Sequence, residues 1–319
     1  MMEILWSVFL LVVGFVLLIK GADFFVEGSS SVAKMLKVPS IIIGLTIVAM
    51  GTSLPECAVS ITASMTNNNA LAVSNAVGSN IFNLMVVCGV SALFTPLLVD
   101  RSTLKKEFPF SVLCAALLLV AGYIGMTLGR VDGMILLVLF ICFLIWMVRS
   151  ALKARANALE AEIEEVEEYK VLPVWRCIVY IIGGIIAIKF GGDFVVDGAS
   201  TIAAKAGLSQ NLIGLTIVAC GTSLPELVTS VVAARKNELD MALGNVIGSN
   251  IFNILLVLGV AATISPIAFI MENVIDIAIL MVMSLLVWVF GWTKQKLDKK
   301  EGIVMLLLYA VYLVYICIR

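Results

Sequence analysis

Apolar runs of about 17 to 30 residues, separated by short polar stretches, fill this chain from end to end. They predict ten helices, at 4–30, 40–65, 70–95, 107–127, 131–149, 174–203, 210–234, 239–264, 272–292 and 302–318. About 20 apolar residues cross a bilayer as a helix. The expected fold class is therefore an all-α membrane protein with ten transmembrane helices. Several runs exceed that length, which predicts tilt or interruption. The first and sixth runs carry charges, and the second, third, seventh and eighth carry internal Gly, Pro and Asn. The amino-terminal run has no basic leader and no small-residue cleavage site, so it reads as a permanent first helix.

Some of the polar interruptions occur twice. GLTIVAMGTSLPE at Gly44–Glu56 returns as GLTIVACGTSLPE at Gly214–Glu226, and NAVGSNIFN at Asn75–Asn83 returns as NVIGSNIFN at Asn245–Asn253. Both recur at an offset of 170, as do Asp23/Asp193, Gly28/Gly198, Gly89/Gly259 and Pro96/Pro266. The chain thus divides into a first five-helix repeat (1–150), an acidic linker (151–173) and a second five-helix repeat (174–319). Five is odd, so the second repeat enters the membrane from the opposite face, and the halves form an inverted repeat. Sixteen of the 21 Lys and Arg fall in the loops of one face, against Arg130, Lys205 and Arg319 on the other. By the positive-inside rule the first face is cytoplasmic, which puts the linker inside and both termini outside. A multi-pass protein of the cell membrane is the expected localisation.

Composition then removes alternatives. The chain is 61% hydrophobic and 13% charged, with formal net charge −1. That gives nucleic acid no basic surface, and the lipid bilayer is the expected partner. Histidine is absent, which excludes histidine metal ligation and proton relays. The seven cysteines are scattered singly and read as small buried hydrophobes. The linker ALKARANALEAEIEEVEEYKV is read as a solvated helical segment. A regulatory calcium patch there lacks the Asp and Gly spacing of an EF-hand.

The chemistry is concentrated in the repeated blocks. A proline within a helix lacks an N–H and frees the carbonyl four residues back. Pro55 frees Gly51 and Pro225 frees Gly221. Such breaks survive in a membrane only where they face protein, water or a ligand. Around each break stand hydroxyls (Thr52, Ser53; Thr222, Ser223) and a carboxylate (Glu56; Glu226), all hard oxygen donors. Ser79 and Asn83, like Ser249 and Asn253, are four apart and share a helix face, while Gly78 and Gly248 let a neighbouring backbone approach. An all-oxygen set suits Na⁺, Ca²⁺ or Mg²⁺. An unpaired acid at mid-membrane costs roughly 2.5–3.5 kcal/mol. Lys20 and Lys189 are expected to pair locally with Asp23, Glu27 or Asp193, which leaves Glu56 and Glu226 to a cation. Their combined charge of −2 matches one Ca²⁺, or several Na⁺ competing for the same oxygens.

GTSLPE followed by GSNIFN, twice in one chain, resembles the cation/calcium exchanger superfamily, in particular the short prokaryotic sodium/calcium exchangers. The resemblance implies an electrogenic antiporter exchanging Na⁺ for Ca²⁺ by alternating access, without a cofactor, with spans one and six sliding as the gating bundle. It assigns Glu56 and Glu226 as shared calcium ligands, helped by the backbone carbonyls of Thr52 and Thr222. Sodium sites would use the carbonyls of Ala49 and Ala219 with Ser53, Ser223, Ser79, Ser249 and the glutamates, and Asn83 and Asn253 would line the centre. Potassium-dependent relatives carry an acid where this chain has Asn253, so K⁺ co-transport is not expected. A Ca²⁺/H⁺ antiporter of the same superfamily stays open as the alternative, since buried glutamates also carry protons. An intramembrane protease finds no support, because the nearest string to its GxGD motif, at Phe190–Asp193, lacks the first glycine. A passive channel fits poorly with deep charged sites in an inverted repeat. Oligomeric state is not legible in the sequence.

Overall fold

The computed structural model describes residues 2–66, 69–161, 172–208, 213 and 217–318. It is helical almost throughout. In the first half α1 spans Met2–Leu36, and α2 (Ser40–Thr52) meets α3 (Leu54–Met65) at a bend of 49°. Then come α4 over 69–94, the short α5 (Arg101–Lys105), α6 (Glu107–Tyr123) and α7 (Arg130–Ala161). The second half repeats this plan: α8 (Val174–Lys205), α9 (Ala219–Gly221), α10 (Leu224–Arg235), α11 (Leu239–Ile264), α12 (Met271–Lys294) and α13 (Lys299–Ile318). Among the described residues seven helices are long and apolar enough to cross a membrane, or eight with the bent α2–α3 pair taken as one span. The chain is a multi-pass membrane protein. Helix α6 has 17 residues, at the short end of the spanning range. The predicted span at 210–234 falls partly outside the described residues, as does the acidic linker beyond Ala161.

The two halves interlock rather than sit side by side. Helix α7 of the first half packs on the end of α11, and α13 of the second packs on the end of α4. Glycines permit both contacts. A methyl group on Gly133 would lie 2.7 Å from the Gly259 carbonyl, and one on Gly302 would lie 2.8 Å from that of Gly89. Two small antiparallel ribbons, each with one strand from either half, close the ends. Leu97–Leu98 (β1) pairs with Lys296–Leu297 (β4), and Thr127–Leu128 (β2) pairs with Ile267–Ala268 (β3). Each ribbon requires its two loops to lie at the same end of the molecule.

Helices α1 and α8 lie antiparallel along nearly their whole length. The seam repeats every seven residues: Ser7 faces Gly198, Gly14 faces Gly191, Gly21 faces Gly184 and Gly28 faces Cys177. Backbone meets backbone there, and dispersion replaces the hydrophobic drive that lipid cannot supply. Of the seven cysteines, Cys88, Cys114 and Cys177 are buried as expected. Cys142 and Cys317 are exposed instead, standing on the apolar outer surfaces of α7 and α13, where lipid makes burial unnecessary.

The seam yields a test. A side chain at Gly191 would place its Cβ 2.7 Å from the Leu18 nitrogen and 2.8 Å from the Gly14 carbonyl, whereas Gly183 meets nothing within 4 Å among the described residues. Gly191→Val is expected to cost about 1–3 kcal/mol through overpacking and to lower the melting temperature in detergent. Gly183→Val on the same helix is expected to leave it unchanged.

Candidate functional site

Both GTSLPE segments break their helices at the serine. Ser53 (φ −84°, ψ 9°) and Ser223 (φ −94°, ψ 5°) leave helical geometry, and Pro55 and Pro225 sit in the first turn of the helices that follow. A proline is tolerated there because the first N–H groups have no intrahelical acceptor. Glu56 and Glu226 therefore occupy the first turns of α3 and α10, where the helix dipole favours an anion. A serine at this position ordinarily caps its own helix. Neither Ser53 nor Ser223 does so.

Their hydroxyls cross to the other half. Ser53 Oγ donates to Glu226 Oε1 at 2.9 Å, and Ser223 Oγ donates to Glu56 Oε1 at 3.3 Å. Ser79 Oγ adds a bond to Glu56 Oε1 at 3.4 Å, and Ser249 Oγ one to Glu226 Oε1 at 3.5 Å. Both glutamates are 0% exposed. Among the described residues each one's second oxygen, Glu56 Oε2 or Glu226 Oε2, is buried without a hydrogen-bond donor. A buried polar atom left unpaired is costly. Here one such oxygen stands on each of the two repeat-related glutamates.

Four asparagines extend the cluster. Asn83 and Asn253 begin π-helical turns, Asn83–Val87 and Asn253–Val257, a distortion frequent at functional sites. Asn83 Nδ2 donates to Asn250 Oδ1 at 3.2 Å, and Asn253 Nδ2 donates to Asn80 Oδ1 at 3.0 Å. Asn80 and Asn250 also donate to each other's backbone carbonyls, at 3.1 and 3.3 Å. Two more oxygens, Asn83 Oδ1 and Asn253 Oδ1, are thereby left buried and without a donor. The tally is two carboxylate and two amide oxygens, related in pairs by the repeat. Among the described residues no group of three or more His, Cys, Asp or Glu is placed to hold a metal ion. The site's remaining donors are neutral.

The structure brings Glu56, Glu226, Ser53, Ser223, Ser79 and Ser249 into one hydrogen-bonded cluster, with Asn83 and Asn253 one helical turn beyond Ser79 and Ser249. Thr52 Oγ1 contacts Asn245 Oδ1 at 3.0 Å. The Ala49 carbonyl accepts the Ser53 N–H at 3.0 Å, Thr222 is half-buried, and Ala219 opens α9. Four residues in the same motifs were not singled out from sequence: Asn80, Asn250, Asn75 and Asn245. Asn75 Nδ2 donates to Ser60 Oγ at 3.1 Å, and Asn245 Nδ2 donates to Ser230 Oγ at 2.9 Å, bracing α3 and α10. Their retention in both copies was the available signal. Gly248 behaves as expected, with a methyl there falling 2.7 Å from Ala49 Cβ. Gly78 meets nothing within 4 Å among the described residues. Lys189 pairs with Asp193 as expected, but Asp23 and Glu27 pair with Lys236 of the opposite half rather than with Lys20.

A family model described as sodium/calcium exchanger protein matches residues 6–149 and 177–318. The chain belongs to that family. It is 31% identical over 338 residues to the sodium/calcium exchanger MaX1 of Methanosarcina acetivorans, covering 96% of this chain and 97% of that one. It is 36% identical over 291 residues to the inner membrane protein YrbG of Escherichia coli, covering 88% of each. Among solved structures, the sodium-calcium exchanger NCX_Mj soaked with 2.5 mM Na⁺ and 10 mM Sr²⁺ matches with a TM-score of 0.84 at 36% identity, over 98% of this chain and 99% of that one. Two of these relatives are named as sodium/calcium exchangers and the third as an inner membrane protein.

The asparagine lattice is testable without any ion. Asn250→Ala strips the partner from Asn83 Nδ2 and from the Asn80 carbonyl. Leaving such groups unsatisfied is expected to cost about 1–3 kcal/mol, read as a lowered melting temperature of ion-free protein.

Proposed function

We propose that this protein is a secondary antiporter that exchanges Na⁺ for Ca²⁺ across the cell membrane. Its ten spans form two inverted five-helix repeats (1–150 and 174–319) joined by a cytoplasmic linker, with both termini outside. The observation that carries this reading is the reciprocal arrangement at the helix breaks. Each half donates a serine to the other half's glutamate, and one buried oxygen on each of Glu56, Glu226, Asn83 and Asn253 has no donor among the described residues. Two carboxylates supply the charge that one Ca²⁺ requires. Serine hydroxyls, amide oxygens and backbone carbonyls supply the weaker oxygens that suit Na⁺. Glu56 and Glu226, with the Thr52 and Thr222 carbonyls, hold Ca²⁺. The same glutamates serve Na⁺ with Ser53, Ser223, Ser79, Ser249 and the Ala49 and Ala219 carbonyls, while Asn83 and Asn253 line the centre.

Competition for shared oxygens couples the two ions. An empty pair of ionised acids in a water-poor core is too costly to reorient, whereas the occupied pair is neutralised. Inverted repeats convert that condition into alternating access, because exchanging the conformations of the two halves exchanges the open face. The relatives named as sodium/calcium exchangers support the same ion pair.

Vesicles loaded with Na⁺ are expected to take up radioactive Ca²⁺ when diluted into Na⁺-free buffer, and Glu56→Gln or Glu226→Gln is expected to abolish uptake. Micromolar to millimolar Ca²⁺ is also expected to raise the melting temperature of the wild type but of neither variant. Uptake driven equally well by a proton gradient without Na⁺ would move the assignment to the Ca²⁺/H⁺ alternative.

A further inference from the structure

The two halves share their site residues but not their end contacts. At the turn between α10 and α11, Lys236 Nζ lies 2.6 Å from Asp23 Oδ1 and 3.5 Å from Glu27 Oε2 of α1, and donates to the Asp23 carbonyl at 3.0 Å. Two residues on, Glu238 accepts from Ser30 of α1, accepts from Ser40 at the start of α2 at 2.9 Å, and sits 3.8 Å from Lys34. The end of α1 is thus pinned to the core helices by several charged contacts at one face of the membrane.

The repeat shows what stands at the opposite face. Asp23 and Glu27 correspond to Asp193 and Asp197 on α8, so the acids are kept. Lys236 corresponds to Thr66 and Glu238 to Asn68. The cation that would bind Asp193 and Asp197 is absent from that position, and Asp193 is engaged by Lys189 of its own helix.

Burial follows the same asymmetry. Helix α1 packs along α10, and Leu224, Val228 and Val232 are half-buried. The equivalent α8 makes no comparable contact with α3 among the described residues, and Leu54, Ala58 and Thr62 are exposed, Leu54 by 49%. Spaced by four, these three form one stripe on α3 that is open in the first half and covered in the second. Because α1 and α8 are joined backbone to backbone through their glycine seam, a shift that covers one stripe uncovers the other.

We propose that Lys236 and Glu238 form a one-sided latch that holds α1 over α10, biasing the protein toward the state whose α3 stripe is open, and that the threonine at position 66 leaves the opposite state without an equivalent. The latch positions the α1–α8 pair and touches no transported ion. On the topology given above, the latched state is the one closed to the cytoplasm. The consequence is sidedness: a chain symmetric at its ion site is asymmetric in which face it presents at rest.

The proposal rests on the alternating-access reading but not on the identity of the ions. Its test is therefore amide hydrogen exchange in ion-free full-length protein, read on peptides covering 54–65 and 224–235. Lys236→Met is expected to speed exchange across 224–235 and to slow it across 54–65, each by about three- to tenfold, the range that a pair of exposed ion pairs can shift an equilibrium. Lys236→Arg is expected to leave both unchanged. Thr66→Lys, which builds the missing cation opposite Asp193 and Asp197, is expected to move both segments in the same directions as Lys236→Met. Faster exchange in both segments of Lys236→Met would mean mere loosening and would overturn the latch, as would a Thr66→Lys variant identical to wild type. Failure of Na⁺-driven Ca²⁺ uptake with the exchange pattern intact would instead overturn the ion assignment alone.

Discussion

Two carboxylates must be held where water cannot reach them, and most of the distinctive structure answers that requirement. An ionised acid in a bilayer interior is tolerated only with donors or countercharge beside it. Glu56 and Glu226 each obtain their donors partly from the other half of the chain, Ser223 for the first and Ser53 for the second. Neither half is then complete by itself. The serine can serve across the interface only because it has given up capping its own helix, and the proline behind it removes one N–H that would have needed the cap. Break, proline, serine and glutamate are one device made twice.

That device needs a frame that brings the two breaks together. The frame is the interlock of α7 on α11 and α13 on α4, tightened where Gly133 meets Gly259 and Gly302 meets Gly89, and closed at each end by a strand pair shared between halves. Outside it lies the α1–α8 pair, whose seven-residue glycine spacing makes a smooth backbone seam. Its tie to the frame at the Lys236–Glu238 end is made mainly of partly exposed ion pairs and hydroxyl bonds. Exposed ion pairs are individually weak. On the alternating-access reading proposed above, a pair of helices joined to each other by a backbone seam and tied to the frame by such contacts at one end suits the moving part.

The architecture was legible because its cues are local and repeated. Apolar runs predicted a helical multi-pass chain, and seven or eight helices long and apolar enough to span stand among the described residues. Proline and glutamate in GTSLPE marked the breaks with the correct residues at their centre. Features that depend on what lies across the interface were harder to read. Nothing near Lys236 in the chain points to Asp23, 213 positions away, whereas Lys20 stands beside it, so local pairing was the natural expectation and the wrong one. The heptad of small residues along α1 and α8 is visible in the sequence, yet its meaning appears only when the two helices are laid antiparallel. Asn80 and Asn250 escaped notice because a helical face argument pairs Ser79 with Asn83 and leaves the residue between them unassigned. Their partners are on the other half, at a distance that no spacing rule covers.

The asparagine lattice also bears on which residue the centre can accept at position 253. Asn253 must donate, since its Nδ2 meets Asn80 Oδ1, and Asn80 Nδ2 is already committed to the Asn250 carbonyl. An ionised carboxylate at 253 would set an acceptor against an acceptor, whereas a protonated one could donate to Asn80 Oδ1 as the amide does. The mirror relation holds for Asn83, Asn250 and the Asn80 carbonyl. The amide at 253 is therefore more than the absence of a third acid. It supplies the donor that ties α11 to α4, and its own oxygen has no donor among the described residues. A centre built this way carries two carboxylates and otherwise neutral oxygens, and a third acid would keep the crossing between the halves only in its protonated, donating form.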